Sequence, residues 1–232
     1  YNSIFGSNYS FYKHVFKRLI GKKIFNRGKF IGFKSLRNVI YSRSKIRKRS
    51  DEFYTVFVEA NPKIAYTKNI YRDASMVFNL ALTDNNEGSQ ISLTKLYLGD
   101  GSELSQGSSV FLEKDNVQED SYVTTLGVSS STFFNELQSY FDKRFADYDV
   151  LLRLNCEGVE DEVIYSAYAS FGKKLKLICG SLKDVEGVKG LEASQKLDKF
   201  INDNKLLFVY FHSIMISWPK AHAAILNLLD QN

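Results

Sequence analysis

Along residues 51–232, short apolar runs separated by polar breaks follow the two-residue period of strands more often than the 3.6-residue period of helices. Residues 52–60 (EFYTVFVEA) alternate, are rich in β-branched and aromatic side chains, and stop at Asn61-Pro62. Residues 75–83 (SMVFNLALT) predict a second strand, ended by Asp84-Asn85-Asn86-Glu87-Gly88, and residues 91–98 a third, closed by Gly99-Asp100-Gly101. Shorter strands are predicted at 108–113 and 121–126, split by the polar stretch 114–120. Further strands are predicted at 150–156, 162–171, 174–179 and 206–217. Two stretches keep a helical period. One is about 132–146, capped from Ser129–Thr132 with Phe133, Leu137, Tyr140 and Phe141 on one face. The other is about 190–203, with Leu191, Leu197, Phe200 and Ile201 buried. Residues 221–229 suit a short helix or a last strand. About nine short strands with two inserted helices predict a mainly β body, a β-sandwich or jelly-roll-like barrel.

The first fifty residues follow different rules. Residues 10–25 (SFYKHVFKRLIGKKIF) set Phe11, Val15 and Leu19 at helical spacing with cations on the rest of the surface. Residues 26–50 mix Gly28 and Gly32 with cations and rings, and predict an extended or irregular segment shaped by a partner.

Charge makes this division sharper. Residues 1–50 contain Lys13, Lys17, Arg18, Lys22, Lys23, Arg27, Lys29, Lys34, Arg37, Arg43, Lys45, Arg47, Lys48 and Arg49, and no Asp or Glu. The remaining 17 basic residues meet all 26 acids, so residues 51–232 carry about −9 beneath an overall +5. A cationic arm, 1–50, thus precedes an acidic body, 51–232. Like charge at this density repels itself, and a polyanion relieves the repulsion. Rings interleaved with the cations, Tyr41 among them, suit stacking on unpaired bases, whereas Phe11, Val15, Phe16, Leu19 and Ile20 are expected to bury against protein, their own body or a neighbouring copy, in preference to stacking.

Catalytic patterns are absent. Of the three histidines, His14 lies in the arm and His212 in an apolar run, where a hydrogen-bonded core role is expected; His222 lies near the end. Cys156 and Cys179 have no zinc-site neighbours and are expected as buried free thiols. Gly99-Asp100-Gly101-Ser102 lacks the phosphate-loop pattern and reads as a hairpin turn. The acidic groups Glu157, Glu160, Asp161, Glu162 and Glu113, Asp115, Glu119, Asp120 lack calcium-loop spacing and read as solvated loops. No cofactor, metal or enzymatic activity is expected. No apolar run reaches the eighteen residues of a membrane span. Because the chain begins at Tyr1 rather than Met, an upstream segment is expected.

A basic aromatic arm over Lys13–Arg49, followed by Glu52–Ala60 in the place of a first barrel strand, resembles the capsid proteins of small icosahedral viruses. Phe141–Leu154 (FDKRFADYDVLLRL) is similar to a helix-to-strand segment in capsids of circular single-stranded DNA viruses. The resemblance implies a jelly-roll coat subunit in the virion, with possible passage through the host nucleus. Such a subunit associates with copies of itself and packages single-stranded DNA or RNA through the arm. Two rival readings stand beside it: an RNA-binding component of a ribonucleoprotein such as an organellar ribosome, and a protein laying residues 10–25 on anionic lipid.

Overall fold

Local patterning resolves into helix more often than the alternation suggests. The computed structural model describes residues 33–66, 74–83, 90–100, 104–211 and 218–231, with side chains from residue 38. Helix accounts for 47% and strand for 26% of it. Among the described residues the strands form one two-stranded and two three-stranded sheets, and no barrel closes. The expected mainly β sandwich or jelly roll is therefore incorrect. The elements are α1 (Phe33–Lys48), β1 (Val56–Val58), α2 (Pro62–Ala65), β2 (Met76–Phe78), β3 (Ala81–Thr83), β4 (Ile91–Gly99), β5 (Val117–Ser129) and α3 (Ser130–Arg144). They continue with β6 (Val150–Arg153), α4 (Glu160–Phe171), β7 (Leu175–Gly180), α5 (Lys183–Lys189), α6 (Leu191–Asp203), β8 (Phe208–Tyr210) and α7 (Trp218–Leu229).

Three segments account for most of the difference. Residues 162–171 belong to a helix. Val163, Ile164, Ala167 and Phe171 are buried along with Ser166 and Ser170, so burial extends round most of α4 and leaves little polar face to mark the period. Residues 33–48 of the segment read as irregular are helical, and Val39, Arg43 and Ile46 are buried at i, i+4 and i+7. An arginine in the middle position hides that stripe from a hydrophobicity reading. The long strand read at 206–217 is limited to β8, and residues 212–217 lie outside the described residues. The two helices read at about 132–146 and 190–203 are present as α3 and α6, with Ser129 accepting the Thr132 N–H at 3.2 Å as N-cap.

The chain divides into two compact units. One contains α1 and α7. These helices pack through Val39 and Ile46 on the first and Ala221 and Ile225 on the second, all nearly or fully buried. Trp218 stacks on Phe211 with ring centroids 6.0 Å apart.

The second unit comprises Val58–Tyr66 and Val77–Tyr210. In its first sheet β5 is central, parallel to β3 and antiparallel to β4. At the end of β4 an added Cβ on Gly99 would lie 2.4 Å from the Gln106 carbonyl oxygen, so only glycine lets these backbones approach. In the second sheet β6, β7 and β8 run parallel in that order. Parallel neighbours need crossovers, which α4 supplies between β6 and β7, and α5 with α6 between β7 and β8. Central β7 reads as a nearly continuous apolar run because Leu175, Leu177, Ile178 and Cys179 are all buried. A ring cluster of Phe133, Phe134, Phe141, Tyr148 and Phe171 links α3 to α4 through edge-on and tilted contacts.

Leu177 is 0% exposed at the middle of the central strand. Leu177→Ala should lower unfolding free energy by about 2–5 kcal/mol in urea titration monitored by circular dichroism.

Candidate ligand site at the carboxyl edge of the parallel sheet

In open parallel α/β sheets ligands bind outside the strands' carboxyl ends, in the crevice where strand order reverses. The described β6–β7–β8 order is sequential, so what the carboxyl edge can bind rests on its own chemistry. Here that edge is built by the turn 154–159 after β6 and by Ser181-Leu182 after β7. The β6–α4 turn is tight and would leave amide donors without partners. Glu160, at the start of α4 and 1% exposed, supplies them. Its Oε1 accepts the N–H groups of Cys156 (2.9 Å) and Glu157 (2.8 Å), and its Oε2 accepts that of Gly158 (2.8 Å). Burial pushes the Glu160 carboxyl above its ordinary range, against the opposing pull of these amides.

Glu157 takes the left-handed conformation at φ +60°, followed by Gly158 at +122°. Left-handed backbone is costly for a residue with a Cβ, and the surroundings hold it there. Its N–H donates to Glu160, and its carbonyl accepts the Ser109 hydroxyl at 2.7 Å. Its carboxylate meets Lys114 Nζ at 2.5 Å, while the same ammonium donates to Asp184 Oδ1 at 2.6 Å. Burial alone would lower Lys114, but hydrogen bonds to Asp184 and Glu157 overcome it and hold the ammonium above its ordinary value. Asp161, also buried, pairs with Lys189 at 2.7 Å.

The acids Glu160 and Asp161 are thus buried and partnered, which corrects their reading as solvated loop. Glu113 and Asp115 are exposed in a loop as expected, whereas Glu119 and Asp120, also exposed, belong to strand β5 rather than to a loop. Among the described residues, no group of three or more His, Cys, Asp or Glu is placed to hold a metal ion. Both cysteines are free thiols; Cys179 is buried as expected, whereas Cys156 is half-buried, and desolvation pushes both up, Cys179 to about 11.

The sequence-predicted basic residues are distributed unevenly. Lys13, Lys17, Arg18, Lys22, Lys23, Arg27 and Lys29 lie outside the described residues, as do His14 and His212; Lys34 and Arg37 are in the first turns of α1. Arg43 is buried, and burial followed by the charge of Arg47 lowers its pKa. Arg49 donates to Glu52 at 2.6 and 2.7 Å, to Asp230 at 2.6 Å and to the Leu229 carbonyl at 2.8 Å. Its guanidinium is held above its ordinary value, chiefly by Glu52. Lys45 and Lys48 are exposed, Arg47 is half-buried, and Tyr41 is 63% exposed with Lys45 Nζ 4.8 Å above its ring. No described helix is long and apolar enough to cross a membrane.

Sequence reading missed Glu157, Lys114 and Asp184 as a group, because 43 and 27 residues separate its neighbouring members along the chain. The available signal was the strand–turn–helix succession across Asn155-Cys156-Glu157-Gly158, obscured by reading α4 as a strand. No family model, curated protein or solved structure matches this chain.

Glu160→Gln turns an amide donor toward one of the three N–H groups. It should cost about 1–3 kcal/mol in urea unfolding through the donor left unsatisfied.

Proposed function

We propose that the chain binds a small molecule at the carboxyl edge of the β6–β7–β8 sheet. The supporting observation is Glu157, a non-glycine residue held left-handed at the first strand-to-helix crossover by contacts to its N–H, its carbonyl and its carboxylate. Backbone strain maintained in this way concentrates at functional sites. Strand order and direction match one half of a doubly wound nucleotide-binding sheet.

The chemistry of the edge selects among ligands. A phosphate bound at such a crossover takes the free amides that open the helix. Here Glu160 already occupies the turn amides, and Glu157 and Asp184 add negative charge around Lys114. Hydroxyl or ammonium donors complement this edge, and anions do not. Saturation-transfer NMR with a panel of nucleosides, polyols, polyamines and inorganic phosphate is the direct test. Binding of a donor-rich, phosphate-free member, weakened about tenfold or more by Glu157→Gln, is the expected result. Preferential binding of phosphate, or binding indifferent to Glu157, would overturn the reading.

A second reading, nucleic-acid binding through the basic N-terminal segment, rests on fourteen cations without an acid in residues 1–50 and on exposed Tyr41, Lys45 and Lys48 along α1. This reading does not require a jelly roll or a closed shell. Affinity for single-stranded DNA or RNA should fall steeply between 50 and 200 mM salt, by about 300-fold if six phosphates are engaged. Reversing Lys45 and Lys48 to Glu should reduce the log–log salt slope by about 1.4, about 0.7 per lost phosphate contact.

A further inference from the structure

The α1–α7 pair contains Lys34, Arg37, Arg43, Lys45, Arg47, Lys48 and Lys220, and no acid in either helix. Within it lies His222 on α7, 2% exposed, with Nδ1 2.9 Å from the Ser42 hydroxyl of α1. The Ser42 hydroxyl also lies 3.1 Å from the Val39 carbonyl; with its proton given to that carbonyl, its oxygen accepts from His222 Nδ1–H. Buried Arg43 acts on the ring, and Arg47 acts in turn on Arg43. Glu52 and Asp230 flank the pair and are both hydrogen-bonded to Arg49. Among the described residues, a proton arriving at His222 therefore meets the charge of Arg43, and neither helix carries a carboxylate.

We propose that this contact is an acid-operated latch, in which protonation of buried His222 beside Arg43 releases helix 33–48 from helix 218–229. The inference stands apart from the ligand site and concerns the other unit.

The direction of the effect follows from linkage. Burial, and then Arg43, push His222 down to about 4 in the packed form, from an ordinary 6.5. The released form binds the proton more readily, so the pairing is complete above pH 6.5 and weakens as pH falls toward 4. Freed Arg43 would then add to the exposed cations of α1.

Trp218, the only tryptophan, has its ring 6.3 Å from that of His222 and reports on the contact directly. The full chain is titrated from pH 8 to 4, with emission and acrylamide quenching measured beside far-ultraviolet circular dichroism. The expected result is a red shift and stronger quenching below pH 6.5, with helix signal largely retained. In His222→Gln, whose neutral amide does not titrate, the Trp218 signal should stay constant over this range. Should that variant fail to fold at pH 7.5, Arg43→Met serves instead. Removing the adjacent cation eases protonation of the packed ring and should move the transition to lower pH. A transition unchanged in the substituted chain, or one coincident with loss of the whole dichroism signal, would overturn the latch.

Discussion

The β6–α4 turn depends on one carboxylate. Glu160 gathers the amides of Cys156, Glu157 and Gly158, and without it three donors in a nearly closed corner would have to find other partners. Their alignment fixes the path of the turn, and that path holds Glu157 left-handed with its side chain toward Lys114. Through Lys114, the carboxyl edge of one sheet is tied to the connection between β4 and β5 of the other, which also supplies the Ser109 hydroxyl. A local hydrogen-bonding demand is thereby converted into the placement of side chains distant in sequence.

The two units solve their charge problems differently. Around the parallel sheet, cations and acids are paired at short range, as in Lys114 with Glu157 and Asp184, and Lys189 with Asp161. In the α1–α7 pair the interface itself lacks acids, and apolar contact through Val39, Ile46, Ala221 and Ile225 opposes repulsion among the cations. Arg49 closes one end by reaching both Glu52 and Asp230. The basic segment is therefore not a uniform arm: Arg43 and Arg49 serve the protein's own packing, while Lys45 and Lys48 face solvent.

Legibility in the sequence followed amphipathicity. Helix α3 was readable because Ser129 caps it and Phe133 and Phe141 mark a buried side against exposed Glu136, Lys143 and Arg144. Helix α4 was not, because burial of Val163, Ile164, Ser166, Ala167 and Ser170 on several sides erases the period that distinguishes helix from strand. Helix α1 was obscured by Arg43 in an apolar position. Strand β7 is visible as an apolar run, but its parallel pairing with β6 is not, since the crossover between them, α4, reads as a strand. The site was illegible for a related reason: Glu160 sits in an acidic run that looks solvated until the turn amides converge on it.

The two thiols add a quieter property. Burial raises both Cys156 and Cys179, leaving each almost wholly protonated near neutrality and a poor partner for exchange. Neither contributes a covalent cross-link to the fold. With little thiolate at either position, exchange with an external disulfide is slow at both, and no disulfide in the fold is exposed to a reductant.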